Sequence, residues 1–551
     1  MKPKRMMFRI VVMIFIVVTA ISCQSRKEVD LIVFNAKIYT VDSTFSIQEA
    51  FAVKEGAFIA MGSDKEILDR YIAKKKIDAE GKFVYPGFYD AHGHFNGLGE
   101  LMDQVDLNGT KSVSEIIARI QKYEKENPGR EWIIGGGWDQ NAWETKQFPV
   151  KDSLDKYFPD KPVYLSRVDY HAAWVNSKAL EQASLTFVQE IEGGKIVTDK
   201  KGELTGVLID NAMNLVGDHI PVPDEKRALK MLQKAEKALF SAGLTSIADA
   251  GVGERELDYF KKFYKNNDLS IRLYAMLSGT PNSIDRIVKT KPFEQGNLTA
   301  KSIKLFADGA LGSRGAALLD RYSDDEGTEG FLLHKLEALE QMIQKLSETH
   351  WQINTHAIGD SANRVILDLY AKYGKDKKDT RWRIEHAQII HPKDLSKFAK
   401  NKIIPSVQPT HATSDKSWAS DRLGSERIKH AYPYKELLDQ NGIIALGTDF
   451  PVEGYNPMAT FYAAVFRKGI DENEKDGFQV ENALSREEAL KGMTIWAAYA
   501  SFQEAKRGSI EIGKEADFVI LDQDLLKAAP QEIKNTQVLQ TVLGGETVYV
   551  K

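Results

Sequence analysis

The chain has 551 residues, of which 43% are hydrophobic and 28% charged, and its formal net charge is −4. These figures exclude an intrinsically disordered protein, and the lack of a basic excess excludes a nucleic-acid-binding footprint. The length suits about three or four ordinary domains, although an α/β barrel runs long as one unit.

The first element is a targeting segment. Lys2, Lys4, Arg5 and Arg9 precede an apolar run at 10–20, too short for a comfortable membrane span. Ala20-Ile21-Ser22-Cys23 follows, then the polar stretch 24–28. This resembles a bacterial lipoprotein signal, although Ala20 stands where that pattern commonly has Leu. The resemblance implies a signal peptide at 1–22, a lipid on the Cys23 thiol and a short linker at 23–28. It places the protein in the bacterial cell envelope, membrane-associated, on a periplasmic or surface-exposed face. The alternative is a plain signal or anchor with an incidental cysteine. Removing the four bases leaves 70 basic against 78 acidic residues, a net of −8. Cys23 is the one cysteine, so no internal disulfide framework forms.

Residues 29–84 read as short strands and turns. The stretches 30–40 and 51–62 are rich in β-branched and aromatic residues, the second around Gly56. Residues 516–522 and 541–550 have the same texture, the latter around Gly544-Gly545. A small β-sandwich assembled from both ends, 29–84 and 508–551, is expected, with 85–507 inserted into it. The middle alternates apolar runs with amphipathic helical stretches such as 335–348 and 361–372. The runs lie at 83–90, 244–250, 271–277, 302–308, 351–356, 382–386, 403–408 and 443–449. Eight strands in βα alternation predict an α/β fold, a (β/α)8 TIM barrel. About 150 residues separate the first two strands, too many for one connection. An inserted subdomain at about 130–215 is expected there, beside the C-terminal face of the barrel.

Candidate chemistry gathers at strand ends. Tyr85 to His94 reads YPGFYDAHGH, and side chains two apart on an extended segment point the same way. His92 and His94 therefore offer two imidazoles to one point, a donor pair suited to Zn²⁺ and its neighbours. A bare His-x-His is more often a pair of surface histidines, so the later strands matter. Lys304 lies in the fourth strand, while His356, His386 and Asp449 end the fifth, sixth and eighth. Active sites of this fold sit at that end.

PGFYDAHGH, SIKLFADGALGSRGA, INTHAIGD, RIEHAQ and ALGTDFPVE together resemble the metal-dependent amidohydrolase superfamily. GGGWDQNAW and the segment 148–180 narrow the resemblance to the branch typified by N-substituted formamide deformylases. Tyr170 departs from that branch, which commonly has Gly before the histidine at 171. The resemblance implies one or two divalent transition-metal ions, zinc first. His92 and His94 would hold one ion and His356 and His386 a second, with Asp449 completing the first shell. Lys304, carboxylated by CO₂, would bridge them; a mononuclear site with an unmodified Lys304 is the alternative. Burial lowers a lysine pKa and exposes the neutral amine that CO₂ needs. The implied reaction uses a metal-activated hydroxide to cleave a C–N bond, with Asp449 moving the proton to the departing amine.

His171, Trp138, Asp308, Arg314 and His411 are candidate substrate contacts, and Asp139 a further lining residue. For Trp138 aromatic packing, and for Asp308 and Arg314 a salt bridge, are the competing readings. The expected partner is a small-molecule substrate, in a substituted amide or formamide; homo-oligomerisation stays open. Competing functions are an esterase, lactonase or cyclic amidase on the same site, a metal-dependent isomerase, and a non-catalytic small-molecule-binding lipoprotein.

Overall fold

In a computed structural model that describes residues 26–470 and 476–551, eight parallel strands form a nearly closed barrel. In chain order they are β1 (Phe88–Gly93), β2 (Leu244–Val252), β3 (Arg272–Ser278) and β4 (Leu298–Phe306), then β5 (Gln352–Ala357), β6 (Arg383–His386), β7 (Ile404–Val407) and β8 (Ala445–Leu446). Each pairs in parallel with the next, as sequential βα units require. The last strand returns to the first: Asp449 N–H donates to the His92 carbonyl at 2.7 Å, and His94 N–H to the Phe450 carbonyl at 2.8 Å. The chain is therefore a TIM barrel. The targeting segment and Cys23 lie outside the described residues. No helix among the described residues is long and apolar enough to cross a membrane.

The run expected as one strand at 83–90 is two. Phe83–Pro86 pairs antiparallel with Phe518–Leu521 and parallel with Lys37–Tyr39, away from the barrel. β1 begins only after Gly87. A Cβ on Gly87 would lie 2.3 Å from Thr245 Oγ1, so the chain can cross from one sheet to the other only where no side chain projects. Residues of both chain ends build two sheets. One orders Ala57–Gly62, Ala50–Lys54, Lys27–Phe34 and Tyr71–Asp78; the other holds six strands, with Phe518–Leu521 between Val538–Leu543 and Phe83–Pro86. Val33, Phe51 and Phe58 share one apolar cluster with Val84, Phe518 and Val542. Arg272, at the start of β3, donates to both oxygens of Asp517 at 2.6 and 2.9 Å and so ties the barrel to the C-terminal strands.

Between β1 and β2 stands a separate six-stranded sheet. Its order is Gly194–Thr198, Leu204–Asp210, Ala172–Val175, Val163–Arg167, Ile133–Trp138 and Val105–Asp106. It starts at Val105, ahead of the 130–215 expected, because the two-residue strand there is too short to signal itself in the sequence. Trp138 and Trp174 fill its core.

Candidate metal centre and active-site cavity

A cavity of about 500 Å³ opens at the C-terminal ends of the barrel strands, where this fold places active sites. His92, His94, Lys304, His356, His386 and Asp449 all line it. The backbone explains how adjacent residues can serve different places. On β6 the side chains alternate, so Arg383 and Glu385 face the barrel interior. His386 (φ 71°) and Ala387 (φ 42°) then leave the strand conformation, and the His386 ring turns into the mouth as well. Asp449 has φ 62°, which likewise breaks the alternation beyond β8.

The ring nitrogens are sorted by their partners. His92 Nδ1 lies 2.5 Å from Glu385 Oε2 and donates to it, which leaves Nε2 as the free lone pair. That Nε2 faces Asp449 Oδ1 at 3.4 Å and Lys304 Nζ at 3.5 Å. His386 Nδ1 donates to Gln408 Oε1 at 2.8 Å, which again frees Nε2. Such outer partners fix the tautomer and aim a ligating imidazole. Asp449 Oδ1 lies 2.9 Å from His94 Nε2, and its Oδ2 lies 3.1 Å from His411 Nε2. The rings of His92 and His386 are 4.9 Å apart and those of His356 and His386 4.5 Å apart.

The electrostatics keep these groups in forms that can ligate. Burial, and then the Lys304 charge, lower the His92 pKa to about 4. Burial first, and neighbouring cationic groups second, hold His356 and His386 well below the ordinary histidine value. Burial lowers the Lys304 amine to about 8, against the pull of Glu385 and Asp449. Burial opposes ionisation of Asp449, but His92, His411 and His94 hold its carboxyl far below the usual range. Glu385 is likewise held low against burial, chiefly by the Arg383 guanidinium 2.7 Å away. Neutral imidazoles at His92, His356 and His386, an ionised carboxylate and a readily deprotonated lysine in a dry mouth are a donor set that fits a divalent transition metal. His92, His94 and Asp449 offer ligand atoms within 4.8 Å of one another, and so do His386, His411 and Asp449. His411, expected as a substrate contact, faces Asp449 and Glu453 with its two ring nitrogens, and against burial these carboxylates raise its pKa well above the ordinary histidine value.

The remaining expectations divide. His171 lines the cavity; its Nδ1 lies 2.5 Å from Asp210 Oδ1, and its ring lies 5.1 Å from that of His356. Burial opposes its protonation, but Asp210 raises its pKa. Asp139 lines the cavity and is paired with Arg167. Trp138, Asp308 and Arg314 do not line the cavity. Trp138 is buried in the 105–210 sheet and donates to the Leu165 carbonyl at 2.8 Å. Asp308, fully buried, accepts the N–H groups of Ala317, Ile358 and Gly359 and organises the loops after β4 and β5. Arg314 pairs with Asp324 at 3.0 Å outside the cavity. Trp138 and Arg314 are thus held away from the lining, while Asp308 Oδ1 lies behind it, 3.6 Å from His356 Nε2.

Several contributors escaped the sequence reading. Glu385 and Arg383 were detectable, as charged residues two apart on a fully buried strand. Arg167, which joins Asp139 and Asp169 at the cavity wall, carried no local signal. Tyr170 has φ 58°, a left-handed conformation that glycine adopts freely, which accounts for the glycine usual at this position in the resembled branch.

The comparisons with known proteins agree with this geometry. The sequence pattern of the amidohydrolase family matches residues 75–549. The protein YtcJ of Bacillus subtilis is 32% identical over 531 residues, covering 93% of this chain and 98% of that one. The N-substituted formamide deformylase of Arthrobacter pascens is 26% identical over 544 residues, covering 94% and 98%. The crystal structure of an uncharacterised metal-dependent hydrolase from Pyrococcus horikoshii OT3 superposes with a TM-score of 0.74 at 29% identity, covering 91% of this chain and 99% of that one. A match along nearly the whole barrel, over a mouth that gathers His92, His94, Lys304, His356, His386 and Asp449, makes this chain a member of the amidohydrolase family, a hydrolase of C–N bonds.

Proposed function

We propose that the protein hydrolyses the C–N bond of a substituted amide or formamide. The observation that carries this is the convergence of His92, His94, Lys304, His356, His386 and Asp449 on one cavity, with the His92, His356 and His386 imidazoles neutral and the carboxylate ionised. One or two divalent ions, zinc first, held by these six residues would supply Lewis acidity and lower the pKa of a water toward about 7. The Lys304 amine, lowered to about 8, is accessible in the neutral form to which CO₂ adds. The carboxylate so made is an anionic oxygen donor. Asp449 sits between His94 and His411 and takes the water proton at a carboxylate oxygen. From there the same carboxyl would pass that proton to the departing nitrogen. His171, held by Asp210, faces the same space and orients the substrate carbonyl.

The test is the metal content of purified 24–551 by plasma mass spectrometry, followed by assays on N-substituted formamides and amides. Near two ions per chain with formamide turnover is expected. One ion demotes Lys304 from ligand to neighbour. Turnover confined to esters or lactones replaces the amide reading. No ion after metal and bicarbonate are supplied leaves the non-catalytic binding protein.

Two further readings accompany this one. The two sheets of the chain ends are read as one small β-sandwich, supported by their shared apolar cluster, and the 105–210 sheet as an insertion that walls the mouth, supported by Arg167, Tyr170 and His171 in the lining. The protein is read as lipid-anchored at Cys23 in the cell envelope. Cys23→Ser is expected to move it from the membrane to the soluble fraction, and retention in the membrane refutes the anchor.

A further inference from the structure

Tyr170 stands in the cavity wall at a place where the fold gains little from it. It is 36% exposed and takes no part in the apolar clusters that hold the 105–210 sheet together. Its φ of 58° lies in the left-handed region, which is unfavourable for a bulky L side chain. Strain of this kind persists only where the surroundings impose it, and it collects at functional sites.

The surroundings do impose it. The Tyr170 N–H donates to the Arg167 carbonyl at 2.9 Å and closes a tight turn. Before Tyr170, Asp169 is paired with Arg167, which also donates from Nε to Gln140 Oε1 at 2.7 Å. After it, the His171 N–H donates to Asp169 Oδ1 at 3.0 Å, and the His171 ring is held by Asp210. With both neighbours pinned, no local backbone rotation carries the phenol clear of the mouth. Its tip rests on the inserted sheet: a Cβ built on Gly136 would lie 3.4 Å from Tyr170 Oη and 3.6 Å from Leu101 Cδ1. The ring therefore reaches from the loop that carries His171 toward the helix Phe95–Leu101, which follows directly on His94. His94, Tyr170 and His171 all line the one cavity.

A fixed aromatic wall beside the reacting groups discriminates by shape, because a ligand that meets it cannot push it aside. In a formamide the acyl carbon carries hydrogen, so the group on nitrogen is the part that such a wall meets. Resting on the amide reading above, we propose that Tyr170 determines specificity by width: the site admits amides whose nitrogen carries a slender, unbranched chain and excludes those that carry a broad, caged group.

The test compares N-decylformamide with N-(1-adamantyl)formamide on the metal-loaded full chain. The two substituents have the same number of carbons and differ in width. Wild type is expected to favour the decyl compound in kcat/KM at least tenfold. In Tyr170→Gly the adamantyl-to-decyl ratio is expected to rise at least tenfold. Tyr170→Phe keeps the ring without the hydroxyl and is expected to leave the ratio within about twofold of wild type. Should Tyr170→Gly misfold, Tyr170→Asn, a short side chain that tolerates the left-handed backbone, reads the same ratio. Equal turnover of both formamides by wild type, or a ratio unchanged in the Gly and Asn variants, overturns the gate. A shift in Tyr170→Phe as large as in Tyr170→Gly also overturns it, since the hydroxyl rather than the width would then be read. Calorimetric binding of decan-1-ol and 1-adamantanol separates the gate from the amide reading. If neither formamide is turned over, a width contrast in binding that Tyr170→Gly removes supports the gate without the amide reading, and no such contrast overturns the gate as well.

Discussion

Glu385 touches no substrate, yet it decides what His92 can do. Its carboxylate takes the Nδ1 proton and turns Nε2 toward Asp449 and Lys304. Glu385→Gln keeps the shape but removes the charge that fixes this tautomer and answers Arg383. Metal affinity is expected to fall about 10- to 100-fold, by equilibrium dialysis against a chelator buffer. An unchanged affinity would mean that Nε2 is aimed by the strand alone. Asp449→Asn tests the proton path. Turnover is expected to drop by about 10²-fold or more with the thermal midpoint little changed. Residual turnover above a few per cent of wild type removes Asp449 as the proton carrier. At this level the metal-site candidates were readable in the sequence, because each sits at a strand end with a short recognisable motif. Trp138, Asp308 and Arg314 stayed open between substrate contact and packing or pairing because residue type and nearby motif say nothing of which way a side chain turns.

The short connections are stabilised by particular acceptors. Asp42, between Lys37–Tyr39 and Ile47–Gln48, accepts from the backbone and hydroxyls of Thr44 and Ser46, four bonds of 2.7–3.0 Å. Burial opposes its ionisation, but these donors, Ser46 foremost, lower its pKa to about 2. A depressed carboxylate contributes stability that is present above its unfolded pKa of 3.8 and is lost as the pH falls through about 2. Asp42→Asn is therefore expected to cost about 1–2 kcal/mol at neutral pH after solvent screening. Urea midpoints of wild type and variant at pH 6, 4 and 3 should converge as the pH falls. A gap that stays constant places the effect in shape rather than charge. The eight barrel strands were visible as apolar runs because each is buried on both faces. The break at Gly87 was not, because the residue it clears, Thr245, lies 158 positions away.

Arg272 joins the parts of the molecule. It lies at the start of β3, mostly buried, and closes a bidentate pair with Asp517 while Glu515 approaches at 3.0 Å. Arg272→Met strips the buried Asp517 of its guanidinium partner, while Glu515 keeps Arg507 at 2.8 Å. The expected loss is about 3–5 kcal/mol, the usual consequence of stripping one partner from a buried pair. Urea denaturation measures it, and a loss under about 1 kcal/mol would show that the apolar packing around it holds the junction unaided. Local pattern was enough for the βα rhythm, the barrel and the six residues at its mouth, since strand alternation and short motifs are properties of neighbouring residues. Tertiary structure alone decided which carboxylate meets which base. Arg167 reaches Asp139 across 28 positions, and Arg272 reaches Asp517 across 245. The reason is physical: the charge balance of a cavity is set by distances through space, and separation along the chain does not encode them.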